Sequence, residues 1–180
     1  REWVAIHRRH HQAADTEADP HSPKIYGIWR VLFGGAFLYH SASKNRAMIK
    51  QLGAGCPNDW IERNLYTPYS RLGILIMLII DLGLFGLWGW LVWGIQMIWI
   101  PFWAAGVING LAHWWGYRNY QVKDARRNLL PWGIWIGGEE LHNNHHGAGA
   151  SPKFSHRWFE FDIGWTYIKI LSLLGLAKVR

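Results

Sequence analysis

Two runs of this sequence repeat one arrangement of side chains: His7-Arg8-Arg9-His10-His11 near the start and His142-Asn143-Asn144-His145-His146 towards the end. In each, three histidines stand at i, i+3 and i+4. On a helix those offsets share one face, with neighbouring side chains about 5–6 Å apart. Neutral imidazoles gathered in that way suit a borderline metal such as iron or zinc. Histidine clusters can also be solvated decoration, but the repetition of one spacing argues against it.

Other residues extend the pattern. Asn109 and His113 form an i, i+4 pair at the end of a long apolar stretch, where His113 is a further candidate ligand and Asn109, one turn deeper, can hold a metal-bound water. His7, His10, His11, His113, His142, His145 and His146 together exceed what one zinc ion takes in a structural or catalytic site. Two metals sharing them is the natural count. Two irons ligated mainly by nitrogen suit the activation of dioxygen beside an apolar substrate. His21 lies in a proline-broken loop and reads as solvated or as a residue behind the ligands. His40 stands alone and is not expected to ligate. Asp15 and Asp19 either orient a ligating imidazole through its second nitrogen or are exposed turn residues.

These side chains need a scaffold. The 180 residues give room for one domain with a sizeable core. The chain is 50% hydrophobic with 14 Trp, yet its mean hydropathy is only -0.07. That combination points to a protein part membrane and part polar, with tryptophans at the lipid–water boundary. A formal net charge of +7 suits a nucleic-acid surface or a membrane. No basic run with interleaved aromatics is present, so nucleic acid is not an expected partner. Cys56, the single cysteine, excludes a disulfide framework and a thiolate metal site and fits a reducing cytosolic face. The sequence does not begin with Met, and its first motif starts at His7, so further upstream sequence is expected.

Arg1 to Ala14 reads as a helix carrying the first triplet, with Trp3 on the same side as His7 and His10. Asp15 to Pro23 breaks it, since two prolines cannot continue a helix. Ile25 to Lys50 reads as one interfacial amphipathic helix, Leu52 to Asp59 as a loop, and Trp60 to Tyr69 as a short helix or connector ending at Pro68. Leu72 to Leu111 has no Lys or Arg and one acid, Asp81. One span needs about 20 apolar residues, so this stretch predicts two spans reversing near Gly86 to Trp90. Asp81 is expected to face the interior and find a polar partner. Arg63 and Arg71 precede the stretch, and Arg118, Lys123, Arg126 and Arg127 follow it. The positive-inside rule therefore places both flanks and both triplets in the cytoplasm. Phe154 to Val179 reads as an amphipathic helix against the membrane face. The fold expected is an all-α membrane protein, a transmembrane hairpin (72–111) with a cytosolic helical cap, forming one domain over residues 1–180.

The chain resembles the membrane fatty-acid desaturases of the delta-9, stearoyl-CoA-desaturase-like family, in its bacterial branch. The likeness rests on His7 to His11 followed by Ala18-Asp19-Pro20-His21, then Asn109-Gly110-Leu111-Ala112-His113 with Gly116-Tyr117-Arg118, then Gly138-Glu139 through His146. The resemblance implies a four-span fold with a cytosolic di-iron centre of nine histidines. Seven of them match His7, His10, His11, His113, His142, His145 and His146. It assigns Asn109 to a metal-bound water and Trp3 to the wall of the acyl tunnel. It implies removal of hydrogens from two adjacent methylenes with dioxygen, leaving a cis double bond. The substrate would be a fatty acyl-CoA, an acyl-lipid or an acyl-carrier-protein conjugate. A small ferredoxin- or cytochrome b5-like protein would supply the electrons, in the bacterial inner membrane.

Three departures stand out. The family's first box, H-x(3–4)-H, is absent before His7 and is expected upstream with the first two spans, so this piece is not expected to turn over alone. Ala5 and Ile6 stand where the animal acyl-CoA enzymes carry charge, which weakens the case for a CoA headgroup. Gly147-Ala148-Gly149-Ala150 replaces an aromatic and a proline. Competing readings are a related histidine-box hydroxylase and a non-catalytic membrane protein binding haem, zinc or copper.

Overall fold

A computed structural model describes residues 1–179 and is mostly helical. Helix α1 (Glu2–Ala13) buries Ala5, Ile6 and His10, so the face carrying its histidines adjoins the face that enters the core. It ends at Ala13, and two residues on Asp15 adopts a left-handed φ of 60°. That strained turn is held by side-chain bonds rather than by glycine.

The single helix expected over residues 25–50 is three helices. α2 (Pro23–Tyr26) is capped by Ser22 and opens on Pro23. Gly27, with φ 81°, breaks the chain before α3 (Ile28–Ala42). Asn45 accepts from the Met48 N–H and starts α4 (Arg46–Leu52). Ile49 of α4 packs on Ala5 and Ile6, with Tyr39 and Met48 closing over them. Burying that cluster anchors α1. The Arg8 guanidinium adds bonds of 2.7 Å to the Leu52 and Ala54 carbonyls.

Residues Leu72–Leu111 are long and apolar enough to cross a membrane. Within them α5 (Leu72–Phe85) and α6 (Gly89–Ile100) lie against one another. The Trp93 indole donates to the Ile74 carbonyl at 3.0 Å. A Cβ on Gly89 would collide with the Asp81 backbone. The chain reverses at Gly86, whose φ of 58° favours glycine. Most outward side chains of both helices are large, apolar and exposed. Asp81 is buried, but its Oδ2 finds no hydrogen-bond partner among the described residues, contrary to expectation.

Pro101 lacks the N–H that would continue α6, and the chain widens into a π-helical segment, Pro101–Ile108. That segment crosses α3 at backbone contact: Cβ atoms at Gly35 and Gly106 would strike the Ala105 and Leu32 carbonyls. The short α7 (Asn109–Leu111) carries Asn109 just beyond the crossing. The third histidine segment forms α8 (His142–Gly147).

The chain is not wholly helical: Trp132–Gly133 and Phe161–Asp162 form a two-stranded parallel pair. The helix expected from Phe154 is confined to α9 (Ile163–Leu173). The cause is local. Asp162 accepts from the Phe154 and Trp165 amides, and Glu160 accepts from those of His156 and Arg157. The chain therefore wraps around two carboxylates instead of continuing a helix.

Candidate metal centre

The two triplets face each other, although His7 and His145 are 138 residues apart. The Nε2 atoms of His7, His11 and His145 form a triangle with edges of 2.9, 3.1 and 3.1 Å. Adjacent corners of an octahedron with metal–nitrogen bonds of about 2.1 Å lie roughly 3.0 Å apart. The triangle thus has the dimensions of one face of a metal coordination shell. A second group of potential ligand atoms comes from His10, His142 and His146, all within 4.8 Å of one another. His113 adjoins it, its ring 5.4 Å from those of both His10 and His142. The Nε2 atoms of His10, His113, His142 and His146 are buried with no hydrogen-bond partner among the described residues. Buried polar atoms are normally satisfied, so a cluster of free imidazole nitrogens fits bound cations.

The opposite edges of two imidazoles are fixed. The His10 Nδ1–H donates to Asp19 Oδ1 at 2.9 Å, and the His113 Nδ1–H donates to Asp15 Oδ1 at 3.0 Å. Donation through Nδ1 leaves Nε2 as the bare lone pair, which is the tautomer a metal needs. Both carboxylates are themselves held. Asp19 accepts from the Asp15 and His21 amides. Asp15 accepts from the Ala125 amide at 2.7 Å and pairs with Lys24 at 3.2 Å. Burial acts to raise the Asp15 pKa, but the bonds from His113 and Ala125 outweigh it and hold the carboxyl well below the usual range. Burial raises Asp19, with the two amides opposing it.

Burial also keeps the histidines neutral. It lowers His11 to about 3, with His7 and Arg126 adding to the effect. It lowers His145 to about 4 against the opposing field of Glu139. His10 and His142 fall well below 6.5 for the same first reason. Neutral imidazole is the ligating form.

Between its histidines, α8 presents Asn143 and Asn144, both fully buried. Asn143 accepts from the Asn119 and Tyr120 amides and donates to the Tyr120 and Arg126 carbonyls. Asn144 accepts from Asn119 and Asn128 and donates to the Phe154 carbonyl and Glu160. These two side chains lock a helix of only six residues, too short to hold itself. Glu160 receives further bonds from Tyr117 and Asn119, both 2.6 Å.

A cavity of about 460 Å³ opens beside the first nitrogen group. Ile6, Ala104 and Ile108 line its walls, while His7, His142 and Asn109 stand at its polar end. Trp3 also lines it, stacked on His7 with ring centroids 4.7 Å apart and planes at 11°.

Trp3, His7, Asn109 and His142 thus line the cavity and the other five expected ligands adjoin His7 and His142 in the two nitrogen groups, while His40 is exposed on α3. His21 is not solvated: its ring lies 4.3 Å from that of His10 and its Nε2 is buried. Arg126, counted among the flanking basic charges, is 3% exposed and its guanidinium contacts His146 Nδ1. Asn143, Asn144 and Glu160 were not singled out by the sequence reading. Two asparagines inside a metal-binding helix were the available signal, since Asn disfavours helix interiors unless its side chain is engaged. The first of the small residues after His146 also gains a reason: a Cβ on Gly147 would collide with the Tyr120 ring.

A family model described as fatty acid desaturase matches residues 1–157. The sn-1 stearoyl-lipid 9-desaturase of Anabaena variabilis is 33% identical over 98% of this chain and 63% of its own length. That of Synechocystis is 34% identical over 98% and 54%. Delta-9 acyl-lipid desaturase 1 of Arabidopsis thaliana is 30% identical over 98% and 57%. The chain therefore spans somewhat more than half the length of these relatives. No solved structure matches it. A doubled histidine cluster, an apolar segment of membrane-crossing length and these relatives lead to one conclusion: the chain belongs to the fatty acid desaturase family.

Proposed function

We propose that this protein is a membrane acyl-lipid desaturase that introduces a delta-9 cis double bond into a long acyl chain. The observation that carries the reading is the convergence of two imidazole groups on the polar end of an apolar cavity. His7, His11 and His145 would hold one iron ion, and His10, His142 and His146 with the adjoining His113 a second; the pair would supply dioxygen activation. Reduction of dioxygen to two waters takes four electrons. Two come from the pair of C–H bonds lost as the double bond forms, and two from a small ferredoxin- or cytochrome b5-like donor.

The chain's own residues do the positioning. Asp15 and Asp19 aim His113 and His10. Ile6, Ala104 and Ile108 offer an alkyl chain walls that exclude water, and Trp3 closes the side next to His7. Asn109 lines the same cavity and would hold a metal-bound water. Acyl-lipid is favoured over acyl-CoA as substrate because the cyanobacterial and Arabidopsis relatives described above are lipid desaturases by name. Ala5 and Ile6 point the same way, being committed to the core. Residues 1–180 act as one desaturase domain. In it, α5 and α6 form a transmembrane hairpin, and the histidine-bearing cap faces the cytoplasm of the bacterial inner membrane.

Expression of the intact gene product in cells lacking monounsaturated acyl chains tests this. Gas chromatography with mass spectrometry should find a double bond at carbon 9 of membrane lipid. A hydroxylated chain, or an unchanged lipid profile with iron-loaded protein in the membrane, overturns it.

A further inference from the structure

A second groove lies across α3 from the metal-facing cavity. It has a volume of about 630 Å³ and is bounded by Arg9, Glu17, Tyr26, Arg30, Gly34 and Phe37. The metal-facing cavity instead uses Gly35, Ala36 and Tyr39 of the same helix, so the two spaces are separate.

The charges of this groove lack partners. The Arg30 guanidinium rests 5.6 Å over the Tyr26 ring and makes no hydrogen bond or ion pair among the described residues. Arg9 uses one N–H on the Ala18 carbonyl, at 3.1 Å, and has no carboxylate partner there. Glu17 is exposed and also unpaired. Asp19 borders the groove, but its oxygens are taken by His10 and by the Asp15 and His21 amides. Among the described residues, one groove thus holds two guanidinium groups without a carboxylate partner and one unpaired carboxylate, with no ion pair between them.

Its neighbourhood is aromatic. Trp29, Phe33 and Phe37 recur every fourth residue on the outer face of α3 and are 70%, 68% and 78% exposed. Phe33 meets Phe102, with centroids 6.4 Å apart, and Phe102 continues through Trp103 to Trp99. The stripe is therefore level with the aromatic end of the proposed span, where tryptophan and its neighbours mark the lipid–water boundary.

We propose that this groove binds the headgroup of a phosphatidylethanolamine molecule of the surrounding bilayer, as a site distinct from the acyl cavity. The phosphate takes the N–H donors of Arg9 and Arg30, a geometry that guanidinium favours. The ammonium donates to Glu17, and the acyl chains lie along Trp29, Phe33 and Phe37. The proposal rests on the membrane reading above.

Native mass spectrometry of the intact protein in nanodiscs containing equal phosphatidylethanolamine, phosphatidylcholine and phosphatidylglycerol tests it. Wild-type protein should retain phosphatidylethanolamine in preference to the other two. Arg30→Gln should cut that retention roughly tenfold, the loss of one charged hydrogen bond. Glu17→Gln should abolish the preference over phosphatidylcholine, whose quaternary amine cannot donate. Gly34→Phe should fill the groove without touching the core, since a Cβ there meets only Arg30 Cγ, at 3.9 Å. Equal retention of all three lipids by wild type, or unchanged retention in Arg30→Gln and Gly34→Phe, overturns the proposal. So does displacement of the lipid by inorganic phosphate. Carbonate extraction of native membranes separates the two readings: release of the protein would sink the membrane assignment itself.

Discussion

The Asp15 carboxylate and the His113 imidazole lie 98 residues apart in sequence and meet at 3.0 Å. Asp15 also holds the Ala125 amide and Lys24, so one aspartate ties the loop after α1 to the end of the apolar segment. Asp15→Asn and Asp19→Asn keep the shape but weaken acceptance from imidazole. Each should lower metal affinity about 10–100-fold. A competitive titration against a coloured chelator reads this directly, and unchanged affinity in both variants would refute the orienting role.

His145→Ala removes one corner of the 2.9–3.1 Å nitrogen triangle. Product formation should vanish and iron content fall, while the protein still fractionates with membranes. Normal turnover in that variant would exclude His145 as a ligand.

Glu160→Ala should be costlier to the fold than its position in a loop suggests. The side chain is 8% exposed, and its removal leaves the Tyr117 hydroxyl and the His156 and Arg157 amides without their acceptor and takes one acceptor each from Asn119 and Asn144. A loss of about 2–3 kcal/mol is expected, lowering the thermal midpoint in detergent by roughly 5–10 °C. A midpoint within a degree of wild type would show that α8 is held by other means.

Gly35→Val and Gly34→Ala differ by one position and should differ sharply in effect. A side chain at Gly35 meets the Ala105 carbonyl, whereas one at Gly34 meets only Arg30 Cγ, at an ordinary contact distance of 3.9 Å. Overpacking of this kind costs about 1–3 kcal/mol, and expression and thermal stability should fall for the valine alone. Equal behaviour of the two would contradict the close crossing of α3.

Metal-free protein should lose stability on acidification. His11 and His21 are held at about 3 and His145 at about 4, first by burial, against an ordinary 6.5. The unfolded chain therefore binds more protons between those values and 6.5. Stability is fully present above 6.5 and drains away as the pH falls towards 4. The depressed Asp15 acts in the same sense at lower pH, and the raised Asp19 opposes it. A thermal midpoint that peaks at pH 5 or below would contradict this burial of neutral imidazoles.

Much of this was legible in the sequence because the strongest signals were periodic. Three histidines at i, i+3, i+4 can share a face only on a helix, and an apolar stretch without Lys or Arg has few soluble explanations. Gly86 likewise marked its own reversal. The failures were of another kind. Arg126 reads as one more flanking charge until the fold turns it inwards. His21 reads as a loop residue until Asp19, two positions earlier, draws its amide in. Glu160 and Asp162 look like solvated acids, but amides that local periodicity cannot reveal converge on them. Side chains that terminate a helix by satisfying its backbone leave no repeating pattern, so the helix expected from Phe154 was drawn too long.

Each nitrogen group draws on both ends of the chain: His7 and His11 with His145, and His10 with His142 and His146. A cation bound there is thus a cross-link, closing a loop that contains the whole apolar segment. In the unliganded chain that closure costs entropy which grows only slowly with loop length, and the ion offsets it through its preference for the folded form. Without a bound ion the two ends of the chain would be joined by protein contacts alone, and stripping the proposed metal should leave the loop more open to proteases.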